Sequence, residues 1–292
     1  MNKKNLFKGL GVALVTPFHA DGSIDYDALG SLLDYHMQSG TDFLCVLGST
    51  AETPCLATKD KIEIKNFVVE KLNGTMPILL GFGGNCTNAL VEEARNFDFS
   101  GVDGILSVVP YYNKPSQEGI YRHYMVLSEA LPDMPIVLYN VPGRTGINML
   151  AETVIRVANA ADNVVAIKEA SGNIKQIEEI IKKSPKGFEV ISGDDALTRR
   201  IIELGGVGVI SVVGNAIAKQ FSEMVHATLK GDFAEAENID KSLAELYRLV
   251  FADGNPAGIK ALMSHKGMCE NILRLPLTCA TSQTIEALKV FA

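Results

Sequence analysis

A lysine at the end of an apolar run is the residue with the clearest capacity for chemistry. Lys168 directly follows residues 164–167, an apolar stretch typical of a buried strand. Burial disfavours a charged ammonium, and a lysine that loses its proton near neutral pH can attack a ketone to form a Schiff base. A lysine in this position can also be the structural partner of an acid such as Glu169. The surrounding residues must decide between the two.

Phenol and hydroxyl groups follow two other apolar runs. Tyr139 ends the run at residues 136–139 and is suited to pass protons between a nucleophile and a substrate oxygen, although a tyrosine here can also be a core residue. Ser49 and Thr50 follow a glycine and can present hydroxyls and backbone amides to a small carboxylate. A plain turn is the alternative for this pair.

Two loops that contain proline carry an arginine and a pair of tyrosines. Arg144 offers a planar fork for a carboxylate, or else is a solvated surface residue. Tyr111 and Tyr112 lie in a proline-bounded loop, where exposed aromatic residues contact either a substrate or a second subunit. Together these side chains predict a locally positive site for small carboxylic acids.

Eight short apolar runs must position these side chains. Their starts lie 19 to 34 residues apart, which is the room that a strand, a loop and a crossover helix need. Most are continuously apolar, as expected for parallel strands buried on both faces. They comprise residues 11–15, 43–47, 77–80, 104–109, 136–139, 164–167, 188–191 and 207–212. Eight such units without a linker predict an α/β fold, a (β/α)8 TIM barrel with its active site at the ends of the strands.

Helical patterns fill the intervals and the end of the chain. The first predicted helix, capped by Asp25, has an apolar stripe of Leu29, Leu32, Leu33 and Met37. The second has a stripe of Ile62, Phe67, Val69 and Leu72. After about residue 215 the strand pattern disappears. We therefore predict a catalytic barrel over residues 1–218 and a C-terminal helical segment over residues 219–292, which either covers a barrel face or contacts another subunit.

Composition narrows the class of protein. The chain has 292 residues, 47% apolar and 21% charged, with a net charge of −7, which describes an ordinary globular protein and argues against a nucleic-acid binder. No apolar run approaches the ~18 residues of a membrane span, and the basic start lacks a signal-peptide pattern. Five cysteines without a CxxC pair fit a reducing, cytoplasmic compartment. Neither zinc-binding histidine spacing nor a nucleotide fingerprint is present, so we expect no metal and no cofactor.

Four motifs make the sequence resemble the dihydrodipicolinate synthase family, within the pyruvate-dependent class I aldolase superfamily. They are VPYYNKPSQEG at residues 109–119, YNVPGRTG at 139–146, IKEASGN at 167–173 and SGDD at 192–195. They occur in order and at barrel spacing, over a match that runs from about residue 11 to residue 276.

The resemblance implies a lyase, a 4-hydroxy-tetrahydrodipicolinate synthase. Such an enzyme condenses pyruvate, held as a Schiff base on Lys168, with L-aspartate 4-semialdehyde in the diaminopimelate and lysine biosynthesis pathway. The family pattern assigns a proton relay to Tyr139, Ser49 and Tyr112, with Tyr112 reaching into the site of a neighbouring subunit. It also implies a homotetramer, a dimer of dimers, that needs no cofactor.

Substrate-binding residues follow from the same resemblance. Ser49 and Thr50 are expected to hold the carboxylate of pyruvate, helped by the backbone near Gly193 and Ile210. Arg144 is expected to hold the carboxylate of the semialdehyde.

Departures from the family pattern keep two alternatives open. The family usually has Thr-Thr-Gly where this chain has Ser49, Thr50 and Ala51, and related sialic-acid lyases carry Ser-Thr there. Those lyases, however, lack an arginine corresponding to Arg144. An N-acetylneuraminate lyase or keto-deoxy sugar-acid aldolase is therefore the alternative within the superfamily. A non-catalytic binding barrel is the alternative outside it, although such a protein has no need of the whole reactive set.

Feedback by lysine is expected to be weak or absent. Family members inhibited by lysine place histidine and glutamate near a subunit interface, where this chain has Thr58, Lys61 and Ala89. Asn85 and Tyr111 are retained, but an acid to hold the amino groups of lysine is missing.

Overall fold

Eight parallel strands close into a barrel in chain order in the computed structural model, which describes residues 6–292. The strands are β1 (Gly9–Ala13), β2 (Phe43–Val46), β3 (Ile78–Gly81), β4 (Gly104–Val108), β5 (Ile136–Asn140), β6 (Val164–Glu169), β7 (Glu189–Ser192) and β8 (Gly208–Ser211). Each overlaps one of the eight predicted runs, so the predicted (β/α)8 barrel is confirmed. Residues 1–5, most of the basic start that bears on the signal-peptide expectation, lie outside the described residues.

Helices alternate with the strands and then form the end of the chain. Those between strands are α1 (Tyr26–Gln38), α2 (Thr58–Leu72), α3 (Thr87–Asn96), α4 (Gln117–Ala130), α5 (Pro142–Thr145), α6 (Ala151–Ala160), α7 (Ile174–Lys183) and α8 (Thr198–Glu203). Those after β8 are α9 (Gly214–Lys230), α10 (Phe233–Ala252), α11 (Ala257–His265) and α12 (Ser282–Leu288). Short 3-10 turns occupy Ser49–Ala51 and Thr53–Cys55 after β2, and also Asp195–Leu197 and Lys289–Phe291. Within residues 6–292, no helix is long and apolar enough to cross a membrane.

Apolar side chains from every strand fill the interior of the barrel. They form one buried cluster with Phe7 and Phe43, whose rings are 5.4 Å apart. Its members from the strands include Ala13, Cys45, Leu79, Leu106, Val137, Ala166, Ile191 and Ile210. Alternate positions such as Leu138 and Ile167 pack in another cluster with helical residues. This burial on both faces explains the continuously apolar runs and leaves the strand ends as the place for polar side chains.

Two core positions predicted for the helices are wrong. Met37 and Ile62 are 37% and 41% exposed, whereas His36 is fully buried. The other members of the α1 stripe, Leu29, Leu32 and Leu33, are buried as predicted, and Met37 lies one residue, a turn of about 100°, beyond buried His36. The start of α1 is as predicted, because the Asp25 carboxylate accepts a bond from the Ala28 N–H at 2.8 Å.

The C-terminal helices share a core with the barrel. Val250 from α10 and Ile259 from α11 belong to the same buried cluster as Leu10 and Val12 from β1, and α9 packs against β1. The predicted boundary between residues 218 and 219 falls inside α9, beside a break in helical geometry at Ile217 (φ −134°, ψ 37°). The division of the chain into a barrel and a helical segment stays a prediction.

Candidate active site

The carboxyl ends of β5 and β6 bring a tyrosine and a lysine together. Tyr139 and Lys168 are paired directly in the parallel ladder, so their side chains point to the same side of the sheet. Lys168 Nζ lies 4.6 Å from the centre of the Tyr139 ring, and both residues are buried. The phenol ring therefore lies directly beside the amine.

Glu169, the alternative partner of Lys168, is engaged elsewhere. Its carboxylate accepts bonds from Asn140 Nδ2 at 3.0 Å, Gln176 Nε2 at 3.1 Å and the Ser171 backbone N–H at 2.9 Å. Burial raises the pKa of Glu169, and these hydrogen bonds oppose the rise. Across the described chain, no carboxylate forms an ion pair with Lys168. The structural pairing of this lysine with Glu169 does not form.

A cysteine, a glycine and an isoleucine lie around the amine and the phenol. Burial raises the pKa of the Cys45 thiol to about 11, and the charge of Lys168 opposes that rise. A Cβ atom added to Gly193 would stand 3.0 Å from Lys168 Cε, closer than ordinary van der Waals contact. Gly193 is thus adjacent to the lysine side chain and leaves it room. Ile210 belongs to the same interior cluster as Tyr139.

The hydroxyl pair and the arginine meet a residue of the C-terminal segment. Ser49 and Thr50 lie in the 3-10 turn after β2, and buried Thr50 accepts a bond at its Oγ1 from Asn255 Nδ2 at 2.9 Å. Arg144 lies on α5 and donates from Nη2 to the Asn255 carbonyl oxygen at 3.0 Å. One asparagine therefore contacts both of the groups expected to bind carboxylates.

A cavity of about 460 Å³ opens among these elements, a size that suits a small organic ligand. Three of the predicted site residues line it, namely Ser49, Tyr139 and Arg144, and Tyr111 lines it as well. The predicted site residues outside its lining are Thr50, Tyr112, Lys168, Gly193 and Ile210. Among residues 6–292, no group of three or more His, Cys, Asp or Glu side chains is arranged to hold a metal ion.

Tyr112 does not join this group within a single chain. Its side chain is 87% exposed, and a φ of 71° places its backbone in the left-handed region. Its N–H donates to the Thr145 carbonyl oxygen at 3.3 Å. Of the predicted relay, the chain brings Ser49 and Tyr139 to the cavity and leaves Tyr112 outside it.

Three further residues of the site are not predicted from the sequence. Glu52 lines the cavity and forms an ion pair with Lys260 in which both side chains are fully buried. Asn255, described above, is the third. The ion pair joins positions 208 residues apart, so no short motif contains both. An acid two positions after Thr50 is the one clue that the sequence offers.

Fold and cavity together define the class of protein. A closed parallel barrel with polar side chains at the carboxyl ends of its strands is the architecture of TIM-barrel enzymes. The chain belongs to the dihydrodipicolinate synthetase family, whose model matches residues 6–292. The resemblance carried by the four motifs is confirmed.

The similarity to named relatives covers nearly the whole chain. The chain is 57% identical to the 4-hydroxy-tetrahydrodipicolinate synthase of Phocaeicola vulgatus, over 97% of this chain and 95% of that one. It is 56% identical to that of Parabacteroides distasonis, with the same coverage. The solved dihydrodipicolinate synthase from Thermotoga maritima is similar with a TM-score of 0.95 and 38% identity, covering 98% of this chain and 97% of that one. These relatives confirm the synthase function and the lyase class in preference to the sugar-acid aldolase.

Proposed function

We propose that Lys168 is the nucleophile that binds pyruvate for condensation with L-aspartate 4-semialdehyde, in the diaminopimelate and lysine pathway. The observation that carries the assignment is the buried amine beside the Tyr139 ring, with no carboxylate paired to it in the described chain. An amine that forms no ion pair is available to attack a carbonyl group. The synthases of 57% and 56% identity support the choice of substrates.

The proposed reaction begins when Lys168 Nζ attacks the ketone carbon of pyruvate. The resulting carbinolamine loses water to give an imine, which withdraws electrons and lets the methyl group lose a proton. The enamine so formed attacks the aldehyde carbon of the semialdehyde, and the imine is restored. The amino group of the semialdehyde then attacks the imine carbon, closes the ring and displaces Lys168.

Protons must move at each of these steps, and Tyr139 is the residue best placed to carry them. Its ring lies against the amine, and Ser49 shares the cavity wall. We assign the relay to Tyr139, Ser49 and Tyr112, the last supplied by a neighbouring copy of the chain. The 87% exposure of Tyr112 supports a role outside its own chain, because a tyrosine ring usually finds an apolar surface to cover.

The two substrate carboxylates have different proposed anchors. Ser49 and Thr50 hold pyruvate, with the backbone near Gly193 and Ile210, because hydroxyl and peptide N–H groups donate to carboxylates. Arg144 holds the semialdehyde. Arg144 lines the cavity, and within residues 6–292 its guanidinium donates one hydrogen bond, to the Asn255 carbonyl oxygen, which leaves its other N–H groups for a ligand.

Trapping with borohydride tests the nucleophile. The protein is incubated with pyruvate, reduced and mapped by mass spectrometry, and we expect an adduct on Lys168 that is absent from Lys168→Ala. Lys182→Ala removes a surface lysine that is 67% exposed, and this control keeps the adduct. An unmodified Lys168 in the wild type refutes the proposal. When the semialdehyde and a sugar aldehyde compete as acceptors, only the semialdehyde should be consumed.

We propose that the protein works in the cytoplasm as a homotetramer, a dimer of dimers. Free cysteines support a reducing compartment, and exposed Tyr112 supports a shared site. Light scattering measures the mass of the assembly. Tyr112→Phe and Lys168→Ala are each expected to be nearly inactive alone. Mixed assemblies of the two should regain activity, because one site then combines Lys168 from one copy with Tyr112 from the other, and mixtures without activity contradict a shared site.

We also propose that lysine inhibits the enzyme weakly or not at all. Lys61 and Tyr111 both line the cavity, Thr58 begins α2, and Ala89 lies on α3. None of these four side chains carries a carboxylate that could hold the amino groups of lysine. The dihydrodipicolinate synthase of Cyanidioschyzon merolae has been solved with lysine bound, and it is 38% identical with a TM-score of 0.94. Sub-millimolar lysine should leave the steady-state rate of this protein unchanged. Inhibition in that range refutes the proposal.

A further inference from the structure

A buried acid lies in the loop that carries the proposed pyruvate anchors. Glu52 separates the two 3-10 turns of that loop, Ser49–Ala51 and Thr53–Cys55, and its side chain is fully buried. Its backbone has φ 58° and ψ 32°, a left-handed conformation that residues other than glycine seldom adopt. Such a conformation persists where the surrounding structure holds the residue firmly.

The C-terminal segment holds both oxygens of the Glu52 carboxylate. Lys260 on α11 donates from Nζ to Oε1 at 2.5 Å, and the Arg274 backbone N–H donates to Oε2 at 2.9 Å. Lys260 also donates to the Ile272 carbonyl oxygen at 2.8 Å and lies 4.2 Å from the centre of the Phe18 ring. The acid is therefore fixed from two directions by residues of the same segment.

Asn255 connects this segment to the anchors themselves. Its Nδ2 donates to Thr50 Oγ1 at 2.9 Å, and its carbonyl oxygen accepts from Arg144 Nη2 at 3.0 Å. Because the Thr50 oxygen accepts this bond, the hydroxyl proton is left to donate to another group. A hydroxyl that binds a carboxylate must act as a donor in this way.

Stability alone is a weak reason for the buried pair of Glu52 and Lys260. Removal of two charges from water opposes their attraction, so an apolar pair of similar volume often replaces a buried ion pair without loss of stability. The pair instead fixes the relative orientation of the two segments that carry it, because each charged group makes two hydrogen bonds with defined geometry. That geometry joins α11 to a loop at the cavity.

We propose that Lys260 is a positioning residue for pyruvate. Through Glu52 it fixes the loop that presents Ser49 and Thr50, while Asn255 fixes the Thr50 hydroxyl directly. The C-terminal helical segment is then part of the substrate site and not merely a cover over the barrel. This inference rests on the proposed function, in which that loop binds pyruvate.

The experiment removes the ion pair without leaving one charge buried alone. The double variant Glu52→Gln/Lys260→Met should melt close to the wild-type temperature and raise the KM for pyruvate about tenfold or more, because the anchors are no longer directed at the carboxylate. Saturating pyruvate should still give full borohydride-trapped adduct on Lys168. The matched control Lys65→Met/Asp98→Asn removes another ion pair with a buried lysine, on α2, and should leave the KM unchanged.

Asn255→Ala keeps the inference testable if the double variant does not fold. It removes the amide bond to Thr50 and should raise the KM for pyruvate severalfold at a nearly constant melting temperature. In a Thr50→Val background the same change should have no further effect, which a merely structural role does not predict. An unchanged KM in the folded double variant, or in Asn255→Ala, overturns the inference. A wild type that forms no adduct on Lys168 refutes the proposed function instead, so the two failures are distinguishable.

Discussion

Replacement of Gly193 with alanine tests how closely the amine is placed. The added Cβ would stand 2.7 Å from Ala170 Cβ, 3.0 Å from Lys168 Cε and 3.1 Å from the Glu169 carbonyl oxygen. Carbon atoms in contact lie about 3.5–4.0 Å apart, so the lysine side chain must retreat by about 0.5 Å or more. The contact with Ala170 Cβ also requires a small backbone shift, which is opposed by the hydrogen bond from the Gly193 N–H to the Glu169 carbonyl oxygen at 2.8 Å.

Activity should fall further than stability in Gly193→Ala, because the displaced side chain is the reacting one. Overpacking typically costs about 1–3 kcal/mol of folding free energy. A misplacement of about 1 Å can lower a rate about 100-fold, so a shift of about half that size should slow adduct formation on Lys168 about tenfold. The assay follows the borohydride-trapped adduct over time, beside a thermal melt of the same protein.

Gly84→Ala is the matched control for this experiment. Its added Cβ meets only Leu90 Cδ1, at 4.0 Å, which is ordinary contact. This variant should keep the wild-type trapping rate and melting temperature. If Gly193→Ala melts normally and forms adduct at the wild-type rate, space at Gly193 does not govern the position of Lys168 and the reasoning is refuted.

Three other changes test separate parts of the structure. Arg144→Ala should raise the KM for the semialdehyde about tenfold or more and affect pyruvate trapping little, since a charge-assisted bond is lost at one substrate only; equal losses for both substrates contradict its role. The bond between His226 Nε2 and Asp42 Oδ2 at 2.7 Å raises the pKa of His226. Its stabilising effect is therefore present below the ordinary histidine pKa and is lost as pH rises through the raised value. At these partly exposed side chains it amounts to no more than about 1 kcal/mol; melting curves against pH should show it, and His226→Gln should abolish that pH dependence. Glu169→Leu removes the acceptor shared by Asn140 Nδ2, Gln176 Nε2 and the Ser171 backbone N–H, and it should lower the free energy of unfolding by about 1–3 kcal/mol in urea titrations; an unchanged midpoint contradicts the role of this network.

The strands, and the pairing of Tyr139 with Lys168, are predictable from sequence for one physical reason. A parallel strand buried on both faces is continuously apolar, so each strand appears as an apolar run. Tyr139 and Lys168 each lie at the carboxyl end of such a run, and neighbouring parallel strands bring these ends side by side. The phase of the outer helices is less predictable, as Met37 and Ile62 demonstrate, because single apolar residues are common on a solvated face.

The contacts from the C-terminal segment are beyond prediction from local patterns. Asn255 bonds to a residue 205 positions earlier, and Lys260 to one 208 positions earlier. The residues that flank Asn255 and Lys260 in the sequence give no indication of these distant partners. Tyr112 poses the same difficulty in another form, because its predicted partner belongs to a second chain.

The ion pair between Lys260 and Glu52 also limits when the loop can reach its final structure during protein synthesis. A ribosome adds Glu52 long before Lys260, so the loop emerges with an acid that has no cation to pair with. β1 likewise cannot complete its hydrogen bonding until β8 has been synthesised, because β1 pairs with β8 to close the barrel. Contacts between distant parts of a chain form slowly, since a long loop must close first. With the role proposed for Lys260, the pyruvate site is complete only after the C-terminal segment has been synthesised.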